Sequence, residues 1–213
     1  PSMLEKTYNC TGSREYETGT VTCYNRAVHG QQSFTQAYAN SCNVAFAEMS
    51  DELGRSSIKS TAEKWGFNEA FILQEMQLRQ SSYEPASSDS QLNFVWSAVG
   101  QYKDIVTPMH MCMIVSAVAN DGVMMEPKLL KSVSNSMGLE DKQISPKEYK
   151  RPIDGEDAAT LREMMIHTVK SGTGSKAGVS GYTVGGKTGT AEVSDNKNVK
   201  PHSWFTGFVY EDS

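Results

Sequence analysis

The sequence predicts an α+β fold in which an antiparallel sheet is accompanied by a mostly helical part. Three observations predict it. Strand-type alternation is confined to the two ends of the chain, apolar residues at helical spacing dominate the stretch between, and two extended runs near the C-terminus flank a polar segment as a hairpin would. On these signals the 213 residues divide into a loop and hairpin region over 1–32, a mostly helical part over 33–122, and a helix followed by a hairpin over 123–213. The whole is one domain or most of one.

Taken in order, residues 20–24 (Thr-Val-Thr-Cys-Tyr) alternate as in a short hairpin or loop. Ser33-Phe34-Thr35-Gln36 has the form of a capping box, so a helix is expected from there, apolar through Ala37 to Leu53 and stopped by Gly54. Ser57 is the expected cap of a second helix with Ile58, Ala62 and Trp65 on its apolar side and Gly66 as its left-handed end. The Ser-rich run 80–91 reads as loop. Thr107-Pro108 joins an oxygen-bearing cap to a proline whose missing N–H needs no partner. The helix it opens is apolar on most sides through Val118 and should be central and buried. Asp121-Gly122 turns the chain into an extended piece at 123–125, and Ala158, Leu161, Met164, Met165 and Val169 mark a helix closed by Gly172. Residues 184–193 and 203–210 then form the antiparallel hairpin, with the polar run 194–200 as its turn.

Composition narrows the function. The 20 basic and 25 acidic side chains leave a net charge of −5, which gives no electrostatic case for nucleic acid or an anionic membrane surface. No apolar run approaches the roughly 20 residues that cross a bilayer, and residues 1–6 lack the apolar core of a signal peptide. Any export or anchoring sequence is expected outside these residues. Among four cysteines, Cys10 and Cys23 are near enough in sequence for either a bridge across a short loop or two free thiols. Cys42 and Cys112 lie in apolar helical contexts and are expected as buried thiols. The four histidines show no H-x-x-x-H or carboxylate grouping, so no zinc site, and no other metal or cofactor, is expected.

The chemistry concentrates at Gly185-Gly186-Lys187-Thr188-Gly189-Thr190, followed by an aromatic strand at His202-Ser203-Trp204-Phe205. An earlier Ser41-Cys42-Asn43 supplies an S-x-N string, and Gln101 stands between the two. K-T-G together with S-x-N and S-x-x-K is the motif set of penicillin-recognising serine enzymes. With these elements in that order, the chain resembles the transpeptidase domain of class B penicillin-binding proteins from about Tyr8 to Tyr210. The resemblance implies a β-lactamase/transpeptidase-like α+β fold, incomplete within this chain. It places Ser41-Cys42-Asn43 at a junction between two helices, and it assigns roles. Lys187 would hold the substrate carboxylate and assist proton transfer near Ser41, with the Thr188 and Thr190 hydroxyls binding that carboxylate. Gly189 would let the substrate lie against the strand, the Thr190 N–H would be half of an oxyanion hole, and the Asn43 amide would grip a substrate amide.

Serine acyl transfer also needs a nucleophile. Ser2, Ser13 and Ser33 are followed three residues later by Glu5, Tyr16 and Gln36, so nothing before Ser41 reads S-x-x-K. Ser56-Ser57-Ile58-Lys59 comes after Asn43 and reads as a helix cap with an exposed lysine. Ser194-Asp195-Asn196 and Ser194 to Lys197 imitate both motifs but fall in the expected hairpin turn. The nucleophile is therefore expected outside this chain. The resemblance further implies D-Ala-D-Ala stem peptides of peptidoglycan and β-lactams as ligands and an extracytoplasmic site. It also implies a membrane-anchored parent paired with a glycosyltransferase, and another chain over otherwise exposed sheet edges. A serine β-lactamase, or the penicillin-sensor domain of a membrane receptor, is the alternative. No E-x-x-x-N segment suitable for a lactamase deacylation loop lies between Asn43 and Lys187.

Overall fold

The computed structural model describes residues 2–194, 196 and 198–211. Its N-terminal part is a pair of nested hairpins. Strand β1 (Thr7–Cys10) pairs antiparallel with β4 (Gly30–Ser33), and between them β2 (Ser13–Tyr16) pairs with β3 (Gly19–Thr22). The inner hairpin is the one expected from the alternation at 20–24. The outer pair is not legible in the sequence because β4 is Gly-Gln-Gln-Ser and carries no apolar alternation.

The Ser33 capping box forms, with its hydroxyl accepting from the Gln36 N–H. The helix it opens is short: α1 (Phe34–Ala39) stops at Asn40 and α2 (Asn43–Leu53) restarts beyond Cys42, so the single helix of the apolar pattern is two, with the S-x-N residues at the bend. Helix α3 (Arg55–Lys64) begins from Gly54, three residues before the expected cap at Ser57. Ser56 and Ser57 thus lie in its first turn rather than capping it, while Lys59 is exposed as expected. Gly66 takes φ +100 just past its end.

A two-residue ribbon, β5 (Ile72–Leu73) with β6 (Met76–Gln77), leads to α4 (Gln91–Ala98), a helix the sequence pattern does not announce. Ser90 caps it by accepting from Asn93 N–H at 3.2 Å. Helix α5 (Pro108–Ala119) starts on the Thr107 cap as expected. One side of it meets Phe71 and Met124, the other Met165 and Phe208. Burying a Met or Val side chain contributes roughly 1.5–3 kcal/mol, against about 1 kcal/mol for a cap. Packing of the buried Met113, Val115 and Val118 therefore fixes α5, and the cap sets its register. Cys112, on the remaining side, is exposed rather than buried, because a helix with apolar residues all round does not disclose which side meets water.

Three short strands come next: β7 (Met124–Met125), β8 (Ser132–Ser134) and β9 (Glu140–Gln143). Strand β8 pairs with β9, and β10 (Glu148–Lys150) returns to β7. Helix α6 (Gly155–Ser171), capped by Asp154, ends at Gly172 as expected. The long ribbon of β11 (Tyr182–Ala191) and β12 (His202–Glu211) completes the chain in register from Tyr182 opposite Glu211 to Ala191 opposite His202. Its expected turn includes Asp195 and Lys197, which lie outside the described residues. Helix α6 packs on β11 and α5 on β12. Gly185 is obligatory there, since a Cβ on it would sit 2.3 Å from the Phe208 ring that fills this contact. Among the described residues each strand pairs with only one other, so both outer edges of the ribbon lack a strand neighbour.

Candidate active site

Residues 40–42 reverse the chain between α1 and α2. Ser41 N–H donates to Tyr38 O at 3.0 Å and Cys42 N–H to Ala37 O at 2.9 Å, closing the bend. The price is a left-handed Ser41, φ +52, a conformation costing a non-glycine residue about 1–2 kcal/mol. That cost turns the Ser41 hydroxyl away from both helices and toward β11.

Lys187 meets it there. Along β11 the alternation of side chains puts Gly185, Lys187 and Gly189 on one face. Lys187 Nζ donates to Ser41 Oγ at 2.8 Å and to Thr188 O at 2.8 Å, and lies 5.8 Å from the centre of the Tyr38 ring. Burial pushes its pKa down to about 8. Among the described residues no carboxylate pairs with it, so this desolvated ammonium is held by neutral oxygens and a ring face alone. Charge at such a point favours an anion arriving from outside.

The strand beside Lys187 is fixed from two directions. Thr188 Oγ1 is 2.7 Å from Thr173 Oγ1, and Thr173 N–H donates to Ala39 O at 3.0 Å, which ties the end of α6 to the end of α1. Gly172 permits that approach, because a Cβ there would fall 2.5 Å from Ala39 O. At the far end the Gln101 side chain imitates a peptide of a third strand. Its Nε2 donates to Thr190 O at 2.6 Å and its Oε1 accepts from Glu192 N–H at 3.2 Å. Gly189 and Thr190 between these ties are exposed. The result is a rigid, partly open strand edge with a cation at its root.

The structure thus joins Ser41 and Lys187 across 146 residues of sequence and places Thr188, Gly189 and Thr190 beside them on β11. Asn43 spends one end of its amide on the fold, its Nδ2 donating to Thr22 O at 2.9 Å, which secures β3 to the start of α2. Tyr38 and Thr173 join the site without a motif to announce them. For Thr173 the available signal is Gly172-Thr173-Gly174, two glycines around a hydroxyl between a helix and the lysine strand.

Helices packed against an antiparallel ribbon, with a lysine of the ribbon on the serine of an interhelical bend, define the class of penicillin-recognising proteins. The family model described as penicillin binding protein transpeptidase domain matches residues 3–213, and the chain belongs to that family. Among curated relatives it is 29% identical over 178 residues to the peptidoglycan D,D-transpeptidase PbpA of Mycolicibacterium smegmatis, covering 83% of this chain and 36% of that protein. It is 30% identical over 205 residues to stage V sporulation protein D of Bacillus subtilis, covering 94% of this chain and 32% of the relative. A solved D,D-transpeptidase domain of a peptidoglycan glycosyltransferase from Eggerthella lenta superposes with a TM-score of 0.85 at 29% identity, over 97% of this chain and 52% of that one. A ceftriaxone acyl-enzyme complex of penicillin-binding protein A from Mycobacterium tuberculosis gives a TM-score of 0.88 at 24% identity, over 97% and 47%, and shares the fold. The chain spans about a third of the length of these curated relatives and about half of these solved structures.

Proposed function

We propose that this chain forms the carboxylate-binding side of a D,D-transpeptidase active site, which takes peptidoglycan stem peptides ending in D-Ala-D-Ala and the β-lactams that imitate them. The observation that carries the reading is the Lys187 ammonium, desolvated, with no carboxylate partner among the described residues and 2.8 Å from the Ser41 hydroxyl. In this reading Lys187 attracts the terminal carboxylate and the Thr188 and Thr190 hydroxyls complete its binding. Gly189 lets the acyl chain run along β11 as an added strand, and the Thr190 N–H faces the developing oxyanion. Ser41, kept polarised by Lys187, passes a proton between the attacking group and the leaving amine. The Asn43 amide carbonyl is the part of that side chain left to meet a substrate N–H.

The attacking serine is one this chain does not supply, and acyl transfer belongs to the whole protein. That protein works outside the cytoplasm, anchored to the membrane and paired with a glycosyltransferase. No nucleic acid enters the scheme. The relatives named D,D-transpeptidase and the acyl-enzyme complex support the assignment.

Saturation-transfer NMR of penicillin G with the purified chain tests it. Transfer to the ligand, no added mass on the protein, and loss of the transfer in Lys187→Met are expected. Equal transfer in wild type and Lys187→Met would refute the role of the lysine, and a covalent adduct on any serine of this chain would refute the placement of the nucleophile.

A further inference from the structure

The C-terminal end of α6 sets one hydroxyl firmly beside the lysine strand. Gly172 N–H donates to Thr168 O at 3.0 Å and Gly174 N–H to the same oxygen at 3.2 Å, so the residues on either side of Thr173 are both held to the last turn of the helix. Thr168 is itself buried, its hydroxyl donating to Met164 O at 2.8 Å. Gly174 is close-packed there, since a Cβ on it would stand 3.3 Å from both Thr168 O and Val169 Cγ2. With the Thr173 N–H on Ala39 O at 3.0 Å as well, the backbone of this residue has little freedom. Its side chain is exposed and reaches one hydroxyl partner, Thr188 Oγ1 at 2.7 Å.

One proton lies between two hydroxyl oxygens at that distance. The hydroxyl that donates it has none left to give, whereas the one that accepts keeps its own proton for a third group. We propose that Thr173 is a positioning residue for the ligand: by donating to Thr188 Oγ1 it commits the Thr188 hydroxyl to donate outward, to the ligand's carboxylate. The inference rests on the reading of Lys187 and Thr188 as a carboxylate site. A carboxylate only accepts hydrogen bonds, so an arriving anion selects the arrangement in which Thr188 points its proton at it. A hydroxyl that accepts one bond is polarised and donates a stronger second one. Without Thr173 the Thr188 hydroxyl is free to turn toward water, and ligand binding has to fix it. The join between α6 and α1 is made by the Thr173 backbone and does not need the side-chain bond, which leaves the aim of Thr188 as its effect.

Dissociation constants for penicillin G and its methyl ester, measured by ligand-observed NMR with the purified chain, separate orientation from packing. The ester keeps the shape of the ligand and loses the anion. Thr173→Val keeps the shape of the side chain and loses the hydroxyl. It should weaken penicillin G roughly three- to tenfold, the scale of one neutral hydrogen bond, and leave the ester as it was. Thr173→Ser should restore the wild-type affinity. In a Thr188→Val background, Thr173→Val should have no further effect, because its influence runs through that hydroxyl. Should Thr173→Val fail to fold, Thr173→Ala makes the same comparison. Equal affinity of wild type and Thr173→Val for penicillin G overturns the inference, and so do equal losses for acid and ester. Lys187→Met tests the underlying reading separately: a wild-type preference for the acid that this variant abolishes upholds the carboxylate site whatever Thr173 does. A wild type that binds acid and ester alike refutes that site and this inference together.

Discussion

Lys187 holds a charge for which the described fold offers no opposite, and the direction of its pKa shift fixes how that charge bears on stability. Its folded pKa, about 8, lies below the ordinary 10.5, so the ammonium is a cost to the folded state that disappears as pH rises from about 8 toward 10.5. Removing it with Lys187→Met should therefore leave the unfolding midpoint at neutral pH unlowered while anion binding weakens at least tenfold, the scale of a charged hydrogen bond of about 1.5–3 kcal/mol. Asp104 presents the opposite case. Burial raises its pKa from 3.8 to about 7, and Ser97 Oγ donates to its Oδ1 at 2.6 Å without reversing that. Its favourable contribution is complete below about pH 4 and is lost as pH climbs through 7. Urea unfolding should show Asp104→Asn matching wild type near pH 4 and exceeding it at pH 8, by on the order of 1–2 kcal/mol once solvent screening is allowed for. The motif residues Ser41 and Lys187 are legible as single letters because their chemistry fixes residue type. Thr173 is not, since its hydroxyl partner Thr188 and its backbone partner Ala39 become apparent only in three dimensions.

Elements bounded by strong local signals are the readable ones. The capping box at Ser33, the Thr107-Pro108 start and the Gly172 stop each satisfy specific backbone groups, and the structure uses all three. Helix α4 escapes because the Ser-rich run before it reads as loop up to its cap at Ser90. The split of α1 from α2 escapes the apolar pattern because Ala37, Ala39, Val44 and Ala45 keep helical spacing across a bend made by backbone bonds. The clamp of Gln101 on β11 is likewise a tertiary fact, and it makes a prediction at this scale. Gln101→Ala removes both the bond to Thr190 O and the acceptor of Glu192 N–H, together about 1–2 kcal/mol. Hydrogen exchange at Glu192 should quicken roughly tenfold while exchange in α6 stays as it was; equal exchange in both proteins would show that the clamp carries no weight.

At the scale of the molecule, the chain runs from nested hairpins through a helical part to a C-terminal ribbon. What pattern cannot reveal is how the helical part and the ribbon meet. The ribbon also has an outward side, with Phe205 and Val209 each more than two-fifths exposed beside strand edges that no other described strand covers. Such edges pair with other chains unless a charge interrupts them. Sedimentation velocity should show concentration-dependent association that Val209→Lys reduces without lowering the unfolding midpoint, and identical association in the two would remove the edge from consideration. The serine-to-lysine hydrogen bond carries one more implication, for biogenesis. Its partners enter the growing polypeptide 146 positions apart, and closing so large a loop is entropically late. A ribosome or translocon delivering this chain from its N-terminus completes the nested hairpins before the ligand groove, so nascent molecules cannot hold the ligand until Lys187 has been added and has reached Ser41.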